Sequence, residues 1–265
     1  MEKHVVCRKM CVMFIEGVMM LHSADRRAAE RGRREDDGCC GRGTQERAGY
    51  CKKVFLFLYH VIQFLGFTWT FSLLTANLIL LGHDVLYSAF SSCAAVLYSC
   101  QVLAVLEVMN AALGLVNTPV LPALIQMSGR NTVLFVVLGS LPEMQERTVT
   151  FCVLYLWSSM EMFRHPVEML AVVGAEWRVL TWLWNATWVL LYPLSTVAEG
   201  AAVLQALPLF DETRLYSVAL PESVGFSISF SFSLRLYLIL LFLGLFINMK
   251  HLLGLRRGGL RLKCD

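Results

Sequence analysis

The sequence predicts an all-α, polytopic membrane protein with six transmembrane helices gathered in one bundle. Two observations carry this. The 265 residues are 57% hydrophobic and 16% charged, against roughly 45–50% and about 25% in an average soluble domain. From Val54 onward, apolar runs recur between short polar breaks, each of the ~20 residues needed to cross a ~30 Å hydrocarbon core as helix. Helix is expected over strand because a segment in lipid must satisfy its own backbone amides.

The runs cover 54–80, 86–116, 120–141, 148–173, 179–207 and 233–253, the third interrupted by Arg130 and Asn131. Residues 54–253 are thus expected to form the transmembrane domain. Residues 1–53 read as a separate basic, cytosolic N-terminal extension without structure, because they hold twelve of the 23 Lys and Arg and little apolar surface to bury. Their apolar piece, Val5 to Leu21, is broken by Arg8, Lys9 and Glu16, so it lacks the continuous run of a secretory signal. A basic arm that touches anionic lipid is the alternative reading. Residues 254–265 read as a basic cytosolic tail.

An even number of crossings puts both ends on one side. That side collects Lys52, Lys53, Arg130, Arg164, Arg178, Lys250, Arg256, Arg257, Arg261 and Lys263, against Arg147, Arg214 and Arg235 on the other. The excess of positive charge marks the cytosolic side, so both termini are expected there. Asn185-Ala-Thr187 has the form of a glycosylation sequon but lies inside the fifth run. The nine cysteines form no CxxC pair and read as reduced, small hydrophobes within helices. No HCxxxxxR arrangement occurs, which removes thiol-phosphatase chemistry. His60, His83, His165 and His251 lie on different helices or ends without ligand spacing, and no glycine-rich nucleotide loop follows a strand. Neither a metal nor a cofactor is expected.

Ionisable side chains inside spanning helices cost about 2.5–3.5 kcal/mol on insertion scales, so each requires a bundle-facing or functional reason. The candidates are Glu107, Gln126 with Arg130, Glu161 with Arg164, and Glu199. Glu161 and Arg164 are spaced for an i,i+3 ion pair, and Gln126 and Arg130 share a face at i,i+4. Arg130 equally suits a bidentate ligand phosphate. Glu107 has no partner nearby in sequence and is expected to pair across helices with one of these arginines. Tyr192 precedes Glu199 by seven residues, which brings both to one helical face two turns apart. Pro193 between them leaves the Val189 carbonyl without its usual donor and favours a kink that opens a polar notch. A Tyr and Glu bonded only to hold helices together is the competing reading.

LEVMNAALGLV (106–116), Gln126 and Arg130, EMFRH (161–165), LTWLW (180–184) and YPLSTVAE (192–199), in that order, resemble the very-long-chain (3R)-3-hydroxyacyl-CoA dehydratases. This endoplasmic-reticulum family of six-helix proteins was once called protein-tyrosine-phosphatase-like. The resemblance covers about residues 51–257, and its wording looks closest to the fourth vertebrate paralogue. It implies a catalytic pair in Tyr192 and Glu199, with Glu107, Gln126, Arg130 and Arg164 binding substrate or supporting the site. Two positions depart from the family pattern: Ser195 stands where the motif has glycine, and Trp184 where it has arginine.

The implied reaction is a hydro-lyase step, dehydration of a 3-hydroxyacyl-CoA to the trans-2-enoyl product in fatty acid elongation. It needs a base for the C2 proton and an acid for the departing C3 hydroxyl. Glu199 is assigned the base, since a carboxylate in an apolar bundle is more basic than in water. Tyr192 is then the acid, with the reverse allocation left open. The acyl chain would occupy a central tunnel between helices, with the CoA head at the cytosolic mouth. The implied partners are the elongase condensing enzymes, the two reductases of the cycle and the lipid bilayer, and no nucleic acid. Reticulum residence rests on the resemblance, because RLKCD is no clean retrieval signal. The second reading is a catalytically weak or silent family member acting as a membrane interaction protein, on the strength of Trp184 and Ser195. A six-helix transporter would show repeat symmetry or paired broken helices.

Overall fold

The computed structural model describes residues 42–113, 120–175, 177–213, 215–216 and 230–261, with 42–48, 120–123, 125, 247–248 and 251–261 described by backbone alone. Every regular element among them is helical: α1 Arg42–Leu81, α2 Val85–Leu103, α3 Val105–Ala112, α4 Val120–Asn131, α5 Pro142–Gln145, α6 Thr148–Val173, α7 Arg178–Thr213 and α8 Phe230–Arg261. Among the described residues, each apolar run of the sequence falls largely on helix. The second run is divided at Ala104, whose N–H bonds the carbonyls of both Cys100 and Val102. The third continues from α4 into a π-helical stretch, Thr132–Leu138, with Val133, Leu134, Val137 and Leu138 buried.

The helix α1 begins at Arg42, within the stretch read as a separate extension, and α8 runs on through Arg261, within the stretch read as a tail. Residues 1–41 lie outside the described residues. Glycine is required at two reversals: Gly82 (φ +60°) turns the chain after α1, and Gly174 (φ +82°) ends α6. The Gly174 N–H bonds the Ala171 and Leu170 carbonyls, a left-handed close that a Cβ would disfavour. The helix α7 continues through Pro193 and Pro208.

The helix α6 is packed against α1, α2 and α7, and α8 lies against α7. The main apolar core joins Phe67 and Leu74 of α1, Cys93 and Leu97 of α2, Leu154 and Trp157 of α6, and Val203 and Phe210 of α7. Outside it the usual distribution is inverted. Ile79, Leu80, Leu190 and Ile239 are 64–79% exposed, whereas Gln63, Glu161 and Glu199 are at most 8% exposed. Apolar surface of that extent on the outside fits a lipid environment, where polar groups turn inward. Two stretches, Gly49–Ala112 and Arg178–Thr213, are long and apolar enough to cross a membrane. The first holds α1 and α2, which fold back on one another so that Gln63 Nε2 donates to the Cys100 carbonyl at 2.9 Å.

Candidate active site

Seven residues of α-helix rise about 10 Å and return within about 20° of the same azimuth, so α7 holds Tyr192 and Glu199 on one face, both buried. Ser195 and Thr196 between them are buried too, and the Thr196 hydroxyl donates to the Tyr192 carbonyl at 2.9 Å. The Tyr192 ring stacks on Trp188, centroids 4.9 Å apart and planes 5° from parallel. Trp184 belongs to the same apolar cluster, with Met160, Trp188 and Tyr192. The position where the family pattern has an arginine is therefore filled by a packed indole.

Glu199 is met from a neighbouring helix: the Tyr237 hydroxyl, on α8, donates a hydrogen bond to Glu199 Oε1. Two glycines allow α8 to come this close. A Cβ at Gly129 would sit 3.2 Å from both Cε2 and the hydroxyl of Tyr237, and one at Gly200 would sit 2.9 Å from Phe242 Cζ. Sequence reasoning missed Tyr237. The available signal was a hydroxyl-bearing ring in the apolar run between Arg235 and Asn248.

A second group of polar side chains gathers around α6. Arg164 Nε donates to Glu161 Oε2 at 2.5 Å, the i,i+3 pair the spacing predicts. The cross-helix partner of Glu107 is Arg164, whose Nη2 lies 2.8 Å from Glu107 Oε1. Arg130 binds the other oxygen of Glu161 and covers the Trp157 ring at 5.5 Å from its centroid. Gln126 is exposed on α4.

Three members of the network were not singled out as site residues. Arg164 Nη1 lies 3.7 Å from Glu168 Oε1. His60 Nε2, from α1, lies 3.5 Å from Glu168 Oε2, and His60 Nδ1 lies 3.2 Å from His165 Nδ1. Glu168 was legible as the next step of the Glu161 and Arg164 stripe, four residues after Arg164. His165 was legible in the same way, four residues after Glu161 and 3.5 Å from its Oε2, whereas His60 lies on another helix and carries no such spacing. Among the described residues no group of three His, Cys, Asp or Glu is arranged to hold a metal ion. Chemically, Glu199 is a carboxylate enclosed by apolar helices and oriented by a neutral donor, which suits proton abstraction from a substrate within the bundle.

The family model described as protein tyrosine phosphatase-like protein, PTPLA, matches residues 101–261. The chain is 52% identical over 212 residues to a Danio rerio protein named very-long-chain (3R)-3-hydroxyacyl-CoA dehydratase, covering 80% of this chain and 59% of the relative. It is 44% identical to the Homo sapiens dehydratase numbered 3, over 81% of this chain and 59% of the relative. To the Homo sapiens dehydratase numbered 4 it is 37% identical, over 78% of this chain and 89% of the relative. Identity is thus higher to the relative numbered 3 than to the fourth paralogue, toward which the motif wording pointed; the fourth matches better in extent. The chain spans less than two thirds of the first relatives it matches. No solved structure matches it.

Proposed function

The chain belongs to the protein tyrosine phosphatase-like, PTPLA, family, and we propose that it dehydrates (3R)-3-hydroxyacyl-CoA to trans-2-enoyl-CoA, the third step of very-long-chain fatty acid elongation. The observation that carries this reading is the buried Glu199, bonded from α8 and sharing one face of α7 with Tyr192. Glu199 takes the C2 proton, the C2–H electron pair becomes the C2=C3 double bond, and the C3–O bond breaks as Tyr192 protonates the departing hydroxyl. Water leaves. Proton exchange between Glu199 and Tyr192 through solvent resets the pair.

Glu107, Arg130 and Arg164 act as supports: their ion pairs tie α3, α4 and α6 together beside Trp157. Gln126, exposed one turn before Arg130, is suited to the CoA head at the mouth. The domain spans 54–253 as six crossings around a central acyl tunnel, in the endoplasmic-reticulum membrane, with residues 1–53 and 254–265 cytosolic. Supply of the 3-hydroxyacyl thioester by a ketoacyl reductase, and removal of the enoyl product by an enoyl reductase, place elongase enzymes beside it in the bilayer.

The test is conversion of a long-chain (3R)-3-hydroxyacyl-CoA by the detergent-purified protein. Wild type should turn over, and Tyr192→Phe and Glu199→Gln should each reduce kcat by at least ~100-fold, the scale of a lost acid or base. A folded wild type without turnover would replace this reading with that of a silent membrane interaction protein, which the packed Trp184 favours.

A further inference from the structure

We infer that Tyr237 is the positioning residue for Glu199, fixing one carboxylate oxygen so that the other faces the substrate. The inference rests on the dehydratase reading and adds a residue that neither the motif nor the spacing on α7 supplies. Two observations carry it. The Tyr237 hydroxyl donates to Glu199 Oε1 from a helix that shares no motif with α7. Gly129 leaves room for that ring, since a Cβ there would press on both its edge and its hydroxyl at 3.2 Å.

A carboxylate has two oxygens and free rotation about its last bond. With Tyr237 on one oxygen, rotation is stopped and the proton-accepting lone pair keeps a fixed direction, as a base must for a C–H proton. Tyr237 exchanges no proton with the substrate in this scheme. It acts through Glu199, and its removal should slow the chemical step while leaving substrate affinity alone.

The experiment compares wild type, Tyr237→Phe, Gly129→Ala and the double variant, with thermal unfolding in detergent as a check on folding. Tyr237→Phe keeps the ring and its packing, so a merely structural role leaves kcat unchanged. Positioning instead lowers kcat about 10- to 100-fold with KM within about twofold. It also raises the deuterium isotope effect with C2-deuterated substrate, because proton abstraction then limits the rate. Gly129→Ala displaces the ring by a few tenths of an ångström and should lower kcat severalfold. In the Tyr237→Phe background it should cost nothing further, the non-additivity of two changes that act through one contact.

Wild-type turnover with an unaltered kcat and isotope effect in Tyr237→Phe overturns the inference and leaves the dehydratase reading standing. Additive losses in the double variant overturn it too. A wild type without turnover removes the reading and the inference together.

Discussion

Glu161 is 2% exposed and takes Arg130 on one oxygen and Arg164 on the other. Removing its charge leaves two guanidinium groups facing each other inside the bundle, so Glu161→Gln should cost about 3–5 kcal/mol, the scale of a broken buried pair. Glu107 is about a third exposed at its bond to Arg164, and Arg164 keeps Glu161 and Glu168 without it. Glu107→Gln should therefore cost no more than about 1 kcal/mol. Unfolding of both variants in detergent checks the ranking, and equal losses would mean that Arg164 depends on Glu107 as much as on Glu161. The i,i+3 half of this network was legible because it lies within one helix. The Glu199 to Tyr237 bond was not: its partners are 38 residues apart, and nothing in hydropathy says which side of α8 meets α7.

At the scale of elements, the apolar runs locate the helices well, because a segment that must satisfy its own backbone has few alternatives to helix. Their joints are less legible. No residue type marks the division at Ala104 or the π-helical stretch after Asn131. Close approaches show the same limit. The backbone of α1 at Gly66 faces α2 so tightly that an added Cβ would fall 2.3 Å from Cys100 Sγ, yet Gly66 reads in sequence as one small residue in an apolar run. Gly66→Ala should destabilise the protein by about 1–3 kcal/mol through overpacking. Replacing Cys100 by alanine in the same chain should recover most of that loss. Failure of the second change to restore the melting temperature would show that the helix backbone, rather than the thiol, sets the spacing.

For the whole molecule, contacts between element ends test the alternation of crossings. Ser140, at the end of the third apolar run, meets the hydroxyl of Tyr216, after the fifth, at 2.9 Å. Arg235, near the start of α8, pairs with Asp211 near the end of α7 at 3.0 Å. Glu107 and Arg164, each toward the far end of its own run, meet at the opposite end of the bundle. An up-and-down bundle requires this grouping, and the proposed topology turns the second end, with its excess of Lys and Arg, toward the cytosol. Cys51 is exposed in the third turn of α1, beside Lys52 and Lys53, and Glu146 is exposed in the turn between α5 and α6. With the remaining cysteines replaced by alanine, Cys51 should react with a membrane-impermeant maleimide in sealed microsomes. A cysteine introduced as Glu146→Cys should react only after detergent is added. Reaction in the reverse order would invert the molecule in the membrane, and reaction of both without detergent would place α1 and the α5–α6 turn on the same side, which an alternating six-helix bundle cannot do.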